Sequence, residues 1–254
     1  MIGIVGGMGS YAGIDLFRKI LDNTAACVDQ EHLDIVLISV PSRIKDRSEY
    51  LLGKTGENPA FAIAKVLLSL NAAGATVAGI PCSTAHSDRI FKIISDELRK
   101  KKATLKLLNM VAETIEFIKV SHPDIKTVGV LSTTGAYREG VYSKELQLGG
   151  YEVILPPKQM QEKLVHPAIY DPEYGIKSHP DPIHPQALEN LHRAISFLKM
   201  NGAQAVVLGC TELPLAFPEN SIDGMITIDP TTILARALIS NCCPDKLRPA
   251  KSHD

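Results

Sequence analysis

Apolar positions along this chain fall in short unbroken runs rather than in alternation. Runs at 1–5, 34–40, 75–80 and 104–108 are each followed by a stretch with helical spacing, near 11–27, 57–73, 86–101 and 110–120. Further runs at 126–131, 151–155, 203–208 and 224–228 go with helical stretches near 136–148, 185–201 and 230–241. An unbroken apolar strand is one buried on both faces, and a helix between consecutive strands is the connection a parallel sheet requires. The pattern predicts an α/β fold of parallel sheets flanked by helices.

The pattern also repeats. Ile2-Gly3-Ile4-Val5-Gly6 resembles Val128-Gly129-Val130-Leu131-Ser132, with Gly3 and Gly129 126 positions apart. Cys82 and Cys210 follow corresponding runs at an offset of 128. Leu107-Leu108-Asn109 and Thr227-Ile228-Asp229, each ahead of a helical stretch, are offset by 120. Three anchors in one order at nearly one spacing predict two pseudo-symmetric α/β lobes, far too large a period for a solenoid. The expected division is 1–108 plus 215–254 for the first lobe and 109–214 for the second, with the active site in the cleft between them. In open α/β sheets ligands bind beyond the carboxyl ends of the strands, and the polar motifs of this chain follow strands. The proline-rich segment 156–185 breaks the pattern and reads as a long irregular loop, a lid over that cleft.

Length and composition narrow the partners. The 254 residues suffice for a large core, and 45% hydrophobic with 22% charged residues is the balance of a soluble globular protein. A net charge of −1 supplies no attraction to nucleic acid or an anionic membrane. No apolar run approaches the ~20 residues that span a bilayer. The chain begins on a strand-like segment without a basic n-region, and its five cysteines are an odd number, so a reducing, cytoplasmic location is expected.

The motifs differ in how much they carry. Gly6-Gly7-Met8-Gly9-Ser10 is a tight turn between strand and helix that exposes backbone N–H groups to a small carboxylate. A dinucleotide reading suffers because the next strand ends in Ser39-Val40-Pro41, with no acidic residue for a ribose. Gly53-Lys54-Thr55 fails as a phosphate loop, since Ser48 stands where the first glycine belongs and no strand precedes it. Among Arg43, Lys45 and Arg47, most charges are expected in solvent, but one arginine at the sheet edge suits a substrate carboxylate. Lys177 in the lid is a second such cation. His166, His179, His184 and His192 lack the helical pairing with a carboxylate that hydrolytic zinc sites use, so no metal is expected.

The cysteines carry most. Ile80-Pro81-Cys82-Ser83-Thr84-Ala85-His86 and Leu208-Gly209-Cys210-Thr211-Glu212-Leu213-Pro214 each place a thiol at a strand end, just ahead of hydroxyl residues and a helix. A lone cysteine there is usually packing. Two in matched frames, one per lobe, suit a reaction that takes a proton from one face of a carbon and returns one to the other. A helix N-terminus makes thiolate available near neutral pH. Glu212 raises the neighbouring thiol's proton affinity or shuttles its proton, and His86 follows the other thiol; for both, plain helix-end polarity is the alternative. Cys82 is expected to be the readier thiolate and Cys210 the readier acid. Cys27, Cys242 and Cys243 lie in helical stretches and read as structural.

At these residues the chain resembles the aspartate/glutamate racemase family, its aspartate racemases most. The matching pieces are Gly6-Gly7-Met8-Gly9, Asp46-Arg47, Pro81-Cys82-Ser83-Thr84-Ala85-His86, Ala168-Ile169-Tyr170 through Gly175-Ile176-Lys177, and Gly209-Cys210-Thr211-Glu212-Leu213-Pro214-Leu215, spread from residue 1 to about 240. Glutamate racemases typically carry His where Glu212 stands. The resemblance implies a cofactor-independent two-base racemase, with Cys82 and Cys210 as the acid–base pair. By the same resemblance, Thr84, Thr211 and the backbone of Met8 and Gly9 hold the α-carboxylate and amino group. Arg47 and Lys177 hold the side-chain carboxylate, and Thr133 and Thr134 also face substrate. It implies an amino-acid substrate, foremost aspartate, and a homodimer. Ser83 departs from the family's Asn at that position and removes amide donors from the site. On the same scaffold, isomerisation, decarboxylation or racemisation of another small acid or a hydantoin is the alternative chemistry, and a non-catalytic small-acid binding protein the alternative class.

Overall fold

The computed structural model describes residues 1–249 of the chain. Its strands are β1 (Ile2–Gly6), β2 (Ile35–Ser39), β3 (Val77–Gly79), β4 (Lys106–Leu107), β5 (Thr127–Ser132), β6 (Glu152–Ile154), β7 (Ala205–Gly209), β8 (Ser221–Ile222) and β9 (Met225–Ile228). They form two sheets. The first runs β2-β1-β3-β4 and is parallel throughout; the second runs β6-β5-β7-β9-β8, parallel except for the β9–β8 pair. With β8 set aside, the two orders superimpose element for element: β1 on β5, β2 on β6, β3 on β7, β4 on β9. The central strands β1, β3 and β7 are buried at every residue, as unbroken apolar runs demand.

The helices explain how the lobes are held. From the first half come α1 (Ser10–Asn23), α2 (Arg47–Leu51), α3 (Ala60–Ala72), α4 (Asp88–Lys100) and α5 (Met110–Ser121). The second half supplies α6 (Thr134–Glu139), α7 (Ser143–Leu148), α8 (Lys158–Met160), α9 (His166–Tyr170), α10 (Pro185–Met200), α11 (Leu213–Ala216) and α12 (Pro230–Cys242). Helices α5 and α12 start alike: Asn109 accepts from the N–H groups of Val111 and Ala112, and Asp229 accepts from that of Thr231. Each then leaves the sheet it follows. Helix α5 carries Val111 and Ile118 into the core of the second lobe, with Val128 and Val130 of β5. Helix α12 carries Leu234, Ala235, Leu238 and Ile239 into the core of the first, beside Ile2, Ile4 and Leu16. Lys19 of α1 pins this exchange by bridging Asp15 at 2.5 Å and the capping Asp229 at 2.7 Å.

Three expectations change. Strand β9, assigned with 215–254 to the first lobe, pairs with β7 in the second sheet. The connection from β7 contains only the four-residue α11, so the strand lands beside β7, and the chain crosses to the first lobe one element later, with α12. The helical stretch 136–148 is two helices, because Gly140 adopts φ +69° and closes α6. The segment 156–185 is not wholly irregular: Lys158–Tyr170 is helical, with a π-helical turn at Gln161–Val165. Its prolines do not break it: Pro157 precedes the first turn, and Pro167 follows directly on the π-helical turn, where the hydrogen-bond register shifts and a missing N–H is accommodated. Gln161 anchors it by donating through Nε2 to the Ser132 carbonyl at 3.0 Å.

Candidate active site

Both cysteines stand at the carboxyl edges of their sheets, and the lobes bring them to one cavity. Cys82 lies beyond β3 and opens a single tight turn, Ser83–His86, in which its carbonyl accepts from the Ala85 N–H at 3.0 Å. Cys210 follows β7 directly, and its carbonyl accepts from the Leu213 N–H at 2.9 Å. Both are buried, at 5% and 4% exposure. The cavity is lined by both cysteines together with Met8, Arg47, Ser83, Thr84, Thr133, Tyr170, Lys177, Thr211 and Glu212. Its volume is about 10 Å³, room for roughly one water.

The surroundings of the two thiols differ. The Cys210 Sγ–H donates to Oε2 of Glu212 at 3.0 Å. Oε1 of Glu212 accepts from the Gly9 N–H at 3.2 Å and pairs with Nζ of Lys177. Burial, and next the Glu212 carboxylate, push the Cys210 thiol well above the usual range. Burial works against the Glu212 anion, but Lys177 outweighs it and holds that carboxyl below its usual range. Burial likewise opposes the Lys177 charge, and Glu212 overturns it, so the lysine stays protonated. Cys82 has a cation instead. Arg47, 6% exposed on α2, keeps its charge against burial because Cys82, then Asp46 and Tyr170, act on it. Its Nη1 reaches only the Lys45 carbonyl at 3.3 Å, and its buried Nε has no partner within the protein.

Hydroxyls tie the lobes across the cavity. Thr211 Oγ1 donates to the Pro81 carbonyl at 3.0 Å. Thr84 and Thr133 share a bond of 2.9 Å. Thr133 Oγ1 already accepts from the Ala136 N–H at 3.2 Å and from the Ser48 hydroxyl at 3.3 Å. Its own proton therefore goes to Thr84, which leaves the Thr84 hydroxyl free to donate into the cavity. Ser83 bonds the hydroxyl of Tyr142 at 3.2 Å, so the position that departs from the family pattern is satisfied by a tyrosine of the opposite lobe.

His86 does not face the Cys82 sulfur. Its Nδ1 lies 3.0 Å from the Cys82 carbonyl, an acceptor, so Nδ1 carries the proton. Burial drives its pKa down to about 4, and the ring stacks on Phe91 with centroids 5.0 Å apart. It is a neutral brace for the Cys82 turn. A larger cavity of about 60 Å³ lies on its other side, against Ser87 and Asn109, and touches neither thiol. Thr134 is buried but takes Gln161 Nε2 at 3.4 Å outside the thiol cavity. Arg43 is exposed, and Lys45 lies 3.9 Å from Glu57 at the surface. His166 stacks on Tyr170, and His184 caps α10.

The site also holds residues that the sequence reading did not assign. Tyr170 covers Lys177, with Nζ 5.5 Å from its ring centre, and reaches Asp46 and Ser48 of the first lobe at 3.3 Å each. Its place seven residues before Lys177 in the lid was the available signal. Tyr142 and Ser48 stand in no motif, and nothing in their spacing marks them.

Among the described residues no helix is long and apolar enough to cross a membrane. The sequence matches the family model described as Asp/Glu/Hydantoin racemase over residues 5–238. The fold is similar to that of an aspartate racemase from Picrophilus torridus, with a TM-score of 0.77 and 28% identity, covering 94% of this chain and 93% of that one. An aspartate racemase homologue from Pyrococcus horikoshii superimposes with a TM-score of 0.70 at 20% identity, over 94% and 97%. A glutamate racemase from Francisella tularensis, solved with D-glutamate, does so at 0.65 and 16% identity, over 99% and 84%.

Proposed function

Because the chain belongs to the Asp/Glu/hydantoin racemase family, we propose that it interconverts L- and D-aspartate by two-thiol acid–base chemistry at the α-carbon, without a cofactor. One observation carries this reading: two thiols from opposite lobes and two cations, Arg47 and Lys177, line a single cavity. Arg47 sets a cation beside Cys82, which we take as the base, while Cys210 keeps its proton, bonded to Glu212. The Cys82 thiolate takes the α-proton, the C–H electron pair moves into the carboxylate, and the Cys210 thiol delivers its proton to the opposite face. That turnover leaves Cys82 as the thiol and Cys210 as the thiolate, the form from which the reverse direction runs. The resting form returns when one proton passes from Cys82 to Cys210, and Glu212 Oε2, which accepts from the Cys210 thiol, stands where it can relay that proton.

An α-proton next to a carboxylate is weakly acidic, and one general acid–base group contributes typically ~10²–10⁴-fold. The rest falls to donors fixed around the developing enediolate in a site closed to water. The free Thr84 hydroxyl serves this role, and the lid closes the site. The likeness to the aspartate racemase from Picrophilus torridus supports aspartate over glutamate as the substrate. The test is racemisation in D₂O. Either enantiomer of aspartate should acquire α-deuterium, faster than glutamate does. Absence of exchange with both acids would sink the reading.

A further inference from the structure

The Lys177 ammonium and the Gly9 N–H form a seat for a carboxylate, and the seat is already taken. Oε1 of Glu212 accepts from both, while its Oε2 takes the Cys210 proton. A methyl group built on Gly9 would lie 2.5 Å from Glu212 Oε1 and 3.4 Å from Lys177 Nζ, so only glycine lets the backbone approach this carboxylate so closely. Glu212 is 2% exposed and reaches the seat from the second lobe, whereas Gly9 belongs to the first. The cavity beside it holds about one water, and aspartate has nine non-hydrogen atoms, so ligand entry requires a side chain to yield.

We infer that Glu212 is an internal competitor for the distal carboxylate of the substrate: it occupies the Lys177–Gly9 seat in the free protein and is displaced when a dicarboxylic ligand binds. This rests on the proposed function. The charge count supports it. With Glu212 on Lys177, Arg47 is, among the described residues, the one cation lining the cavity without an ion-pair partner, and one cation answers one carboxylate. A second carboxylate must take Lys177 from Glu212 or go unpaired. A monocarboxylic amino acid needs no such exchange and leaves Glu212 in place. Part of the selection for acidic amino acids thus lies in this exchange of partners. The Gly9 N–H, a hydrogen-bond donor in either state, changes acceptor with Lys177.

The inference makes opposite predictions for binding and for turnover. Glu212→Gln keeps the length and a carbonyl oxygen for Gly9 but removes the charge that holds Lys177. Calorimetric titration with succinate, a dicarboxylate without an α-amino group, should show binding at least tenfold tighter than to wild type, whereas propionate affinity should stay within twofold. Deuterium exchange into aspartate should fall in the same variant, because Cys210 loses its proton acceptor. Lys177→Gln should bind succinate no better than propionate. Circular dichroism confirms that each variant is folded. Weaker or unchanged succinate binding by folded Glu212→Gln overturns the inference, as does equal tightening for propionate. The two readings fail separately. Wild type that exchanges no amino acid while Glu212→Gln tightens on succinate defeats the racemase reading alone. Wild type that exchanges aspartate without such tightening defeats the competitor alone.

Discussion

The Cys82 and Cys210 turns occupy equivalent places in the two lobes, yet they give their thiols different surroundings. Backbone does the same for both: a strand ends, the carbonyl of the cysteine is fixed by an N–H three residues on, and the sulfur faces the cleft. What differs is the side chain each sulfur meets. Cys210 has a carboxylate at 3.0 Å, itself held ionised by a lysine, and Cys82 has an arginine. Duplication of a fold supplies matched positions; a carboxylate two residues on in one turn, and an arginine from α2 beside the other, then make the surroundings of the two sulfurs different.

The comparison breaks most readily by deleting a thiol. Cys82→Ala and Cys210→Ala should each lower racemisation by about 10³-fold or more, since neither base alone serves both faces. Isotope exchange should then distinguish them, with residual exchange from one face only. Next in size is Glu212→Ala, which strands a largely buried lysine and should cost about 3–5 kcal/mol in urea unfolding. The brace under Cys82 is pH-sensitive where the Cys210 turn has no counterpart. His86 titrates at about 4 in the folded protein against 6.5 as its ordinary value, so between those pH values the unfolded chain binds the extra proton. Stability should fall by about 3 kcal/mol as pH drops from about 6.5 to about 4, and His86→Gln should flatten the profile. Slow alkylation by iodoacetamide should label Cys82 roughly tenfold faster than Cys210, read by mass spectrometry of the peptides. Equal rates would mean the neighbours do not set the difference. The smallest effect should come from Thr211→Val, which removes one cross-lobe hydrogen bond and should cost about 1 kcal/mol.

Features that one stretch of chain determines by itself were readable from sequence. Continuous apolar runs gave the buried parallel strands, and Asn109 and Asp229, each read as standing ahead of a helical stretch, prove to be the residues that cap those helices. The cysteine frames placed both sulfurs at sheet edges, because a strand end followed by hydroxyls is a local arrangement. Features set by distant partners were not readable. Nothing near Ser83 indicates Tyr142, which lies 59 residues away. The helical turns at 158–170 were hidden by prolines that signal a loop unless the π-helical turn ahead of Pro167 is known. Strand β9 was misplaced because its partner depends on the length of the connection from β7, not on its own composition. Lys177 and Glu212 were each singled out from sequence, but their pairing spans 35 residues and two elements, and nothing local to either indicates it.

The crossing of α12 into the first lobe bears on how the chain comes to be folded as it is made. The first lobe is encoded first, yet Ile2, Ile4, Leu16, Ile20 and Val77 are covered by Leu234, Leu238 and Ile239 near the other end. During synthesis this apolar face stays open while some 150 further residues, including the whole second sheet, leave the ribosome. The N-terminal lobe is therefore the last part of the protein to close, and chains stopped short of residue 230 present that face to chaperones or to one another.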